Sequence, residues 1–359
     1  MKDVAIYGLG AFGQLFLKAM KKNITLFIDD FSNFEQYQGI PLKKLSELPK
    51  DTKIYISILQ HSKKIERELQ NRGFTNVINF TQAICELPNI LELIADRGYL
   101  WLVKDTNRMV NEDKLQKLHS LLKDDISKNI LTKIIMLRKT LDTQYYIKPK
   151  DTEYFPSDIP ITKNLTSINF IDCGAYTGDT IEELMQQNIK IDTALSFEPD
   201  TKNLIKLQNR LSVLSVKHSK TNFFIYPAGV YSKNNILKFS NSGIDSSASF
   251  DSNSDIEVPV IALDSVILNA NPNFIKMDIE GAETEALIGA TKTIQKYKPN
   301  LAICLYHKPE DLWEIPLLIQ KIEPSYDMYI RVHEDMCLST VLYCIPSNPI
   351  KNNLNGAKK

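Results

Sequence analysis

Two short stretches constrain this chain more than any other feature: AIYGLGAFGQ near the start and NFIDCGAYTGDT in the middle. Each is an apolar strand running into a glycine-spaced turn and then a helix. Glycine accepts positive φ and close approach of a ligand, and the first turn of a helix offers unpaired N–H groups to a polar or anionic group. In the first stretch Gly8, Gly10 and Gly13 open the helix, and Asp29 follows Gly8 by 21 residues at the tip of the next strand. In the second, Asp172, Gly174 and Gly178 precede a helix beginning near Thr180, and Glu198 closes ALSFEP 20 residues after Gly178. An acid at that position can accept hydrogen bonds from both hydroxyls of a ribose. Two such units predict two α/β domains.

The length agrees, since 359 residues exceed one core of ordinary size. With 43% hydrophobic and 24% charged residues the chain has enough apolar surface to fold. Lys plus Arg and Asp plus Glu each number 43, so no global field draws it to nucleic acid or an anionic bilayer. The five cysteines, Cys85, Cys173, Cys304, Cys337 and Cys344, are odd in number and mostly embedded in apolar runs, which predicts buried thiols in a reducing compartment. No secretory signal pattern opens the chain and no apolar run nears the ~18 residues of a membrane span. A cytoplasmic protein without membrane insertion is expected.

Residues 1–80 read as a Rossmann-like β/α domain, with strands at Val4 to Tyr7, Ile24 to Ile28, Ile54 to Ile58 and Val77 to Phe80. Helices fall at Ala11 to Lys21 and Ser62 to Arg72, the latter stopped by Gly73. Residues 81–163 carry helical periodicity and read as a connector. From 164 to 346 the β/α alternation resumes with INFID, ALSFEP, FFIYPAGVY, ILKFS, VPVIAL, NFIKMDI, LAICLYH, MYIRVH and STVLYCI as strands. This predicts a mainly parallel sheet with an antiparallel pair at its end. Residues 347–359 form a polar tail.

The strand, glycine and acid pattern alone fits a dinucleotide or S-adenosylmethionine, but the spacing D-x-G-x-x-x-G favours the sulfonium cofactor. FIDCGAYTGDT, FEPD, KMDIEGAE and YHKPEDLWEIPLLI, in that order, resemble the FkbM-type S-adenosylmethionine-dependent methyltransferases over about residues 164–346. The resemblance implies transfer of a methyl group to a hydroxyl of a sugar, nucleotide-sugar or surface-glycan precursor. It also implies that Asp172, Gly174, Ala175, Tyr176, Thr177, Gly178 and Thr180 surround the methionine part of the cofactor. Glu198 and Pro199 would face the ribose, Ala228 and Gly229 the adenine, and Ser247 would close over it.

Methyl transfer is an in-line displacement helped by a base on the acceptor hydroxyl. His307, Asp278 and Glu280 fall on the ligand-binding edge of the expected sheet and are the candidates. Arg331 and His333 share one face of a strand and are expected either to grip a polar acceptor or to lie on a solvated face. His61, His119 and His218 read as surface histidines. No Cys/His spacing suggests zinc and no assured carboxylate cluster is visible, so no obligatory metal is expected.

Gly8, Gly10, Gly13 and Asp29 taken alone suggest NAD, and an NAD-dependent oxidoreductase is the alternative reading. About eighty residues is short for a dinucleotide's two half-sites, however, and no hydride-transfer segment follows. LFIDD, YQGIPLKKLSEL, KIYISI and GFTNVINF resemble the small nucleotide-sugar-binding domain of bacterial sugar acyltransferases, which implies a nucleotide or nucleotide-sugar at those glycines. A docking domain that has lost binding is the rival, as is a nucleotide-sensing scaffold with an inactive methyltransferase half. Self-association is left open.

Overall fold

The computed structural model describes residues 3–347 apart from 21–22, 31–33, 60–61, 88, 100–101, 104–108, 151, 164, 188, 242–247, 251–255 and 268–269. The chain divides into two compact units. The first comprises Met1–Val110, Thr132–Pro149 and Glu334–Leu338; the second comprises Asn111–Leu131, Lys150–His333 and Ser339–Lys359.

The first unit contains strands β1 (Val4–Tyr7), β2 (Leu26–Ile28), β3 (Gln36–Tyr37), β4 (Ile40–Lys43), β5 (Lys53–Ile56) and β6 (Asn76–Ile78). Its helices are α1 (Ala11–Ala19), α2 (Ser62–Asn71), α3 (Phe80–Glu86) and α4 (Asn89–Arg97). Among the described residues the strands form one sheet in the order β3-β4-β2-β1-β5-β6. All neighbours pair in parallel except β3 with β4. Ala5, Leu26, Ile28, Ile54 and Ile56 point to one face and pack with Leu69 and Phe74. Gly73 takes φ +88 and ends α2, as expected. Phe80, expected to close a strand, instead opens α3, because Asn79 and Gln82 form a reciprocal capping box there.

The second unit contains α5 (Glu112–Leu121), part of α6 (Asp125–Thr140), α7 (Asp179–Gln186), α8 (Thr201–Lys217), α9 (Leu263–Val266), α10 (Glu283–Ile288), α11 (Thr291–Tyr297) and α12 (Asp311–Ile322). Its strands are β7 (Ile168–Cys173), β8 (Ile191–Phe197), β9 (Asn222–Tyr226), β10 (Gly229–Val230), β11 (Asn235–Asn241), β12 (Ala248–Phe250), β13 (Ile256–Ile261), β14 (Phe274–Met277), β15 (Asn300–Cys304), β16 (Tyr326–Val332) and β17 (Thr340–Pro346). Among the described residues seven of them form a sheet in the order β16-β17-β15-β14-β7-β8-β9. It is parallel except where β17 pairs with β15 and β16, which is the expected antiparallel pair.

Register positions the site. Phe274 faces Phe170 across β14 and β7, and two residues on Lys276 faces Asp172. With a side-chain period of two, the aromatic pair and the charged pair share a face, the charged pair lying nearer the C-terminal edge. The Phe170 and Phe274 rings are 5.2 Å apart and fully buried, each stabilising the unit by ~1.5–3 kcal/mol.

Three expectations are corrected. FFIYPAGVY is two strands, because Pro227 cannot donate to a ladder; β9 stays in the main sheet while β10 joins β11, β12 and β13 in a separate four-stranded sheet. ILKFS and VPVIAL therefore belong to that second sheet and pair antiparallel as β11 and β13. The stretch 81–163 is no separate connector but is shared between the two units. Its amphipathic helices bury apolar faces, as Ile90, Leu91 and Ile94 of α4 do in the first unit and Leu115 and Leu118 of α5 do in the second. Among the described residues no helix is long and apolar enough to cross a membrane.

Candidate functional site

The turn after β7 forms as the glycines predict. Gly174 has φ +80, and a Cβ there would lie 1.9 Å from the Asp278 carbonyl oxygen, so no other residue fits between the two strand ends. Gly178 takes φ +82 and serves as the N-cap of α7. The Gly174 and Ala175 amides both donate to the Phe197 carbonyl at 3.0 Å, binding the turn to the end of β8. Between the glycines Tyr176 stands 40% exposed at φ +46, and its amide donates to Glu198 Oε2 at 2.8 Å. The Asp200 amide donates to Glu198 Oε1 at 2.9 Å. Burial pushes the Glu198 carboxyl up to about 7 despite these amides.

Asp172, Ala175, Gly178, Thr180, Glu198, Ala228 and Gly229 are buried, with Gly174, Thr177 and Pro199 half-buried. Ala228 and Gly229 lie past the tip of β9, where the Glu198 amide donates to the Tyr226 carbonyl at 3.2 Å. The cofactor candidates thus gather at one sheet edge, except Ser247, which lies outside the described residues. Asp172 and Lys276 form a buried ion pair at 3.2 Å, and the Lys276 ammonium also donates to the Gly174 carbonyl at 2.7 Å. Burial drives the Asp172 carboxyl up to about 6, with Lys276 opposing; the Lys276 ammonium rises because the carboxylates outweigh its burial.

Past β14 the three candidate catalytic residues converge. His307 Nε2 is 3.3 Å from Asp278 Oδ1 and 3.6 Å from Glu280 Oε2, while Nδ1 is 3.0 Å from Glu283 Oε1. Asp278 also accepts from the Tyr154 hydroxyl at 2.8 Å and the Tyr306 hydroxyl at 3.2 Å. Glu283 accepts the Ile279 amide at 2.8 Å, which folds the DIEGAE segment around its own carboxylate, with Glu280 at φ +55 and Gly281 at φ +92. Burial disfavours the His307 cation, yet Glu283 and Asp278 raise its pKa well above the usual range. Burial would raise Asp278, but His307 and Lys276 hold it below the carboxylate range. Burial pushes Glu280 up to about 7, with His307 partly offsetting it.

Tyr154, Tyr306, Lys276 and Glu283 escaped the sequence reading. Lys276 and Glu283 stand inside KMDIEGAE and Tyr306 beside His307, so those three had a local signal; Tyr154 had none.

Arg331 and His333 are corrected. Arg331 is fully buried, bound to Asp124 at 2.6 Å, Asp158 at 3.0 Å and the Ser127 hydroxyl at 2.9 Å, so its donors are engaged within the fold. His333 pairs with the Tyr343 hydroxyl at 2.7 Å, and burial lowers its pKa to about 4. Of the other histidines, His119 is exposed, His218 is half-buried and His61 lies outside the described residues. Cys85 is exposed, and the remaining cysteines are buried free thiols.

In the first unit, Gly8 at φ +98 donates to the Ile28 carbonyl at 2.8 Å, and the Leu9 amide donates to Asp29 Oδ2 at 3.3 Å. Gly10 is the N-cap of α1, and Gly13 packs against the Gly8 carbonyl, 2.1 Å from where a Cβ would stand.

A mainly parallel seven-stranded sheet ending in an antiparallel pair, with its glycine turn and acid at the carboxyl edge, defines a Rossmann-like methyltransferase fold, and the chain also carries an N-terminal α/β unit. Residues 172–333 match the model of the methyltransferase FkbM domain, which assigns such a domain to that stretch. The fold resembles the methyltransferase FkbM structure from Methylobacillus flagellatus, with a TM-score of 0.63 and 24% identity over 96% of this chain and 90% of that one. An rRNA methylase from Streptococcus thermophilus, 14% identical over 49% of this chain and 84% of its own, has a TM-score of 0.31. A Staphylococcus aureus protein described as a caffeoyl-CoA O-methyltransferase, 10% identical over 66% and 100%, has 0.35; neither of these two carries weight. Among curated proteins none matches the sequence.

Proposed function

We propose that the second unit is an S-adenosylmethionine-dependent O-methyltransferase acting on a hydroxyl of a sugar, nucleotide-sugar or surface-glycan precursor. The observation that carries this is the docking of the Glu198 carboxylate on the Tyr176 amide, opposite the turn Gly174 to Gly178. A carboxylate has about four lone-pair sites, and the Tyr176 and Asp200 amides engage one on each oxygen, so Glu198 suits a ribose diol. Tyr176, Thr177 and Thr180 would border the methionine end of the cofactor. The carboxylates of Asp278 and Glu280 favour a cation such as a sulfonium at this edge.

When bound, the cofactor supplies an electrophilic methyl group. The chain's own part is to orient the acceptor oxygen and take its proton. His307, clamped among carboxylates, retains its proton near neutrality and serves as an electrostatic partner. Glu280, raised to about 7, is the group matched to accepting a proton near neutral pH. The sugar or glycan class is what the resemblance of FIDCGAYTGDT, FEPD and KMDIEGAE to FkbM-type enzymes implies. Incubation with labelled S-adenosylmethionine and a panel of nucleotide-sugars and extracted glycans tests this: label on a hydroxyl supports the reading, and labelling of an amine or of nothing in the panel opposes it.

The Leu9 amide on Asp29 supports a separate reading of the first unit as a holder of a nucleotide or nucleotide-sugar. Titration with UDP-sugars and NADH separates the cases, and NADH as the sole ligand of the protein would move the oxidoreductase reading to the front.

A further inference from the structure

We infer that Asp278, Glu283 and His307 form a binding site for a divalent transition-metal ion of the Mn2+ or Zn2+ class. One donor atom from each lies within 4.8 Å of the other two. Glu283 approaches Nδ1 at 3.0 Å and Asp278 approaches Nε2 at 3.3 Å, opposite nitrogens of one ring, so an ion held at about 2.0–2.2 Å would take one nitrogen while both carboxylates turn toward it. Small side-chain rotations bring such a set inward.

The second observation is the state of these atoms. The His307 side chain is 7% exposed and that of Glu283 is fully buried. Yet neither ring nitrogen of His307, nor Glu283 Oε2, has a hydrogen bond of acceptable geometry. Buried polar atoms ordinarily find partners, and here the carboxylates approach the ring out of line. An ion bound to one ring nitrogen would displace the proton that His307 otherwise retains between its carboxylates. Asp278 also borders Glu153 and Cys304, but the orphaned nitrogens lie on the His307 side.

Charge points the same way. Asp278, Glu280 and Glu283 surround one imidazole, the Lys276 ammonium is engaged by Asp172 and the Gly174 carbonyl, and that of Lys308 donates to the Gly281 carbonyl. One imidazole with two carboxylates suits Mn2+ or Zn2+ better than Mg2+, which prefers oxygen and retained water. The ion site stands on these side chains alone and does not depend on the methyl-transfer reading. An ion at this edge would also polarise a hydroxyl brought against it.

The test uses the full chain freed of metal with EDTA and dialysed. Mn2+ is titrated while the electron paramagnetic resonance signal of free aqueous Mn2+ is followed, and Zn2+ is titrated by calorimetry. One site per chain is expected, weakened at least tenfold in both Glu283→Gln and His307→Gln and unchanged in the exposed Glu310→Gln. No site in the wild type, or a site indifferent to Glu283 and His307, overturns the inference. Because the buried variants can fail to fold, the visible spectrum of Co2+ added to the wild type is a second readout. Bands displaced from those of aqueous Co2+ support the inference, and the aqueous spectrum overturns it.

Discussion

The two glycine turns of this molecule are built alike and furnished differently. In the first unit Gly8 to Gly13 leads into α1, and Asp29 accepts the Leu9 amide at 3.3 Å. In the second Gly174 to Gly178 leads into α7, and Glu198 accepts the Tyr176 amide at 2.8 Å. Behind the second turn stand a buried ion pair, Asp172 with Lys276, and the Asp278, Glu280, Glu283 and His307 cluster. A buried polar neighbour of the first turn is the neutral Ser57, whose hydroxyl donates to the Tyr7 and Gly8 carbonyls at 2.9 and 3.0 Å. A shared backbone motif therefore says where a nucleotide can lie, and the buried charge around it says where chemistry is supported.

The sharpest contrast should come from adding one methyl group to each turn. Gly174→Ala, with its Cβ driven onto the Asp278 carbonyl, should lower S-adenosylmethionine affinity by at least ~100-fold, about 2.7 kcal/mol. Gly10→Ala, with nothing within 4 Å of its Cβ, should leave affinity and stability within ~0.5 kcal/mol. Equal losses in calorimetry would erase the contrast. Next, Lys276→Met strands Asp172 in the core and should cost ~3–5 kcal/mol in urea unfolding at neutral pH. A variant as stable as the parent would show that the charge behind the second turn is incidental.

Glu280→Gln should reduce kcat by ~100-fold or more while cofactor affinity stays near the parent's. In the parent, kcat/KM should rise with pH as Glu280 ionises through about 7, and the variant should lose that rise. A retained pH profile would pass the role of base elsewhere. The smallest effect concerns acid stability. His333 is held neutral at a pKa of about 4, below its unfolded value, so the native state binds fewer protons between pH 4 and 6.5 and stability falls as the pH drops through that window. Between pH 7 and pH 5 the His333 contribution to that loss should be ~2 kcal/mol, read as the difference between the parent and His333→Gln. Urea titrations at the two pH values check this.

Much of the scaffold was legible because its signals are local. Val4–Tyr7 matched its strand, and both glycine turns and the antiparallel end of the sheet followed from periodicity and glycine spacing. The Pro227 break was present in the sequence but was outweighed by the β-propensity of FFIY and GVY. What could not be read are partnerships across long separations. Arg331 lies 207 residues from Asp124 and 173 from Asp158, so its alternation pattern suited a solvated strand face as well as a buried ion pair. Tyr154, 124 residues from Asp278, stands in a passage without periodicity. The acidic cluster was half legible: Asp278 and Glu280 were visible at a strand end, but the roles of Glu283 and His307 depend on how α10 and β15 meet.

The central claim is that the cradle of Gly174, Tyr176, Gly178 and Glu198 holds S-adenosylmethionine. Calorimetric titration of the cofactor into the parent, Glu198→Ala and Gly10→Ala tests it most directly. The account predicts binding to the parent, a loss of tenfold or more in Glu198→Ala, and no change in Gly10→Ala. Binding that survives Glu198→Ala but fails in Gly10→Ala would contradict it.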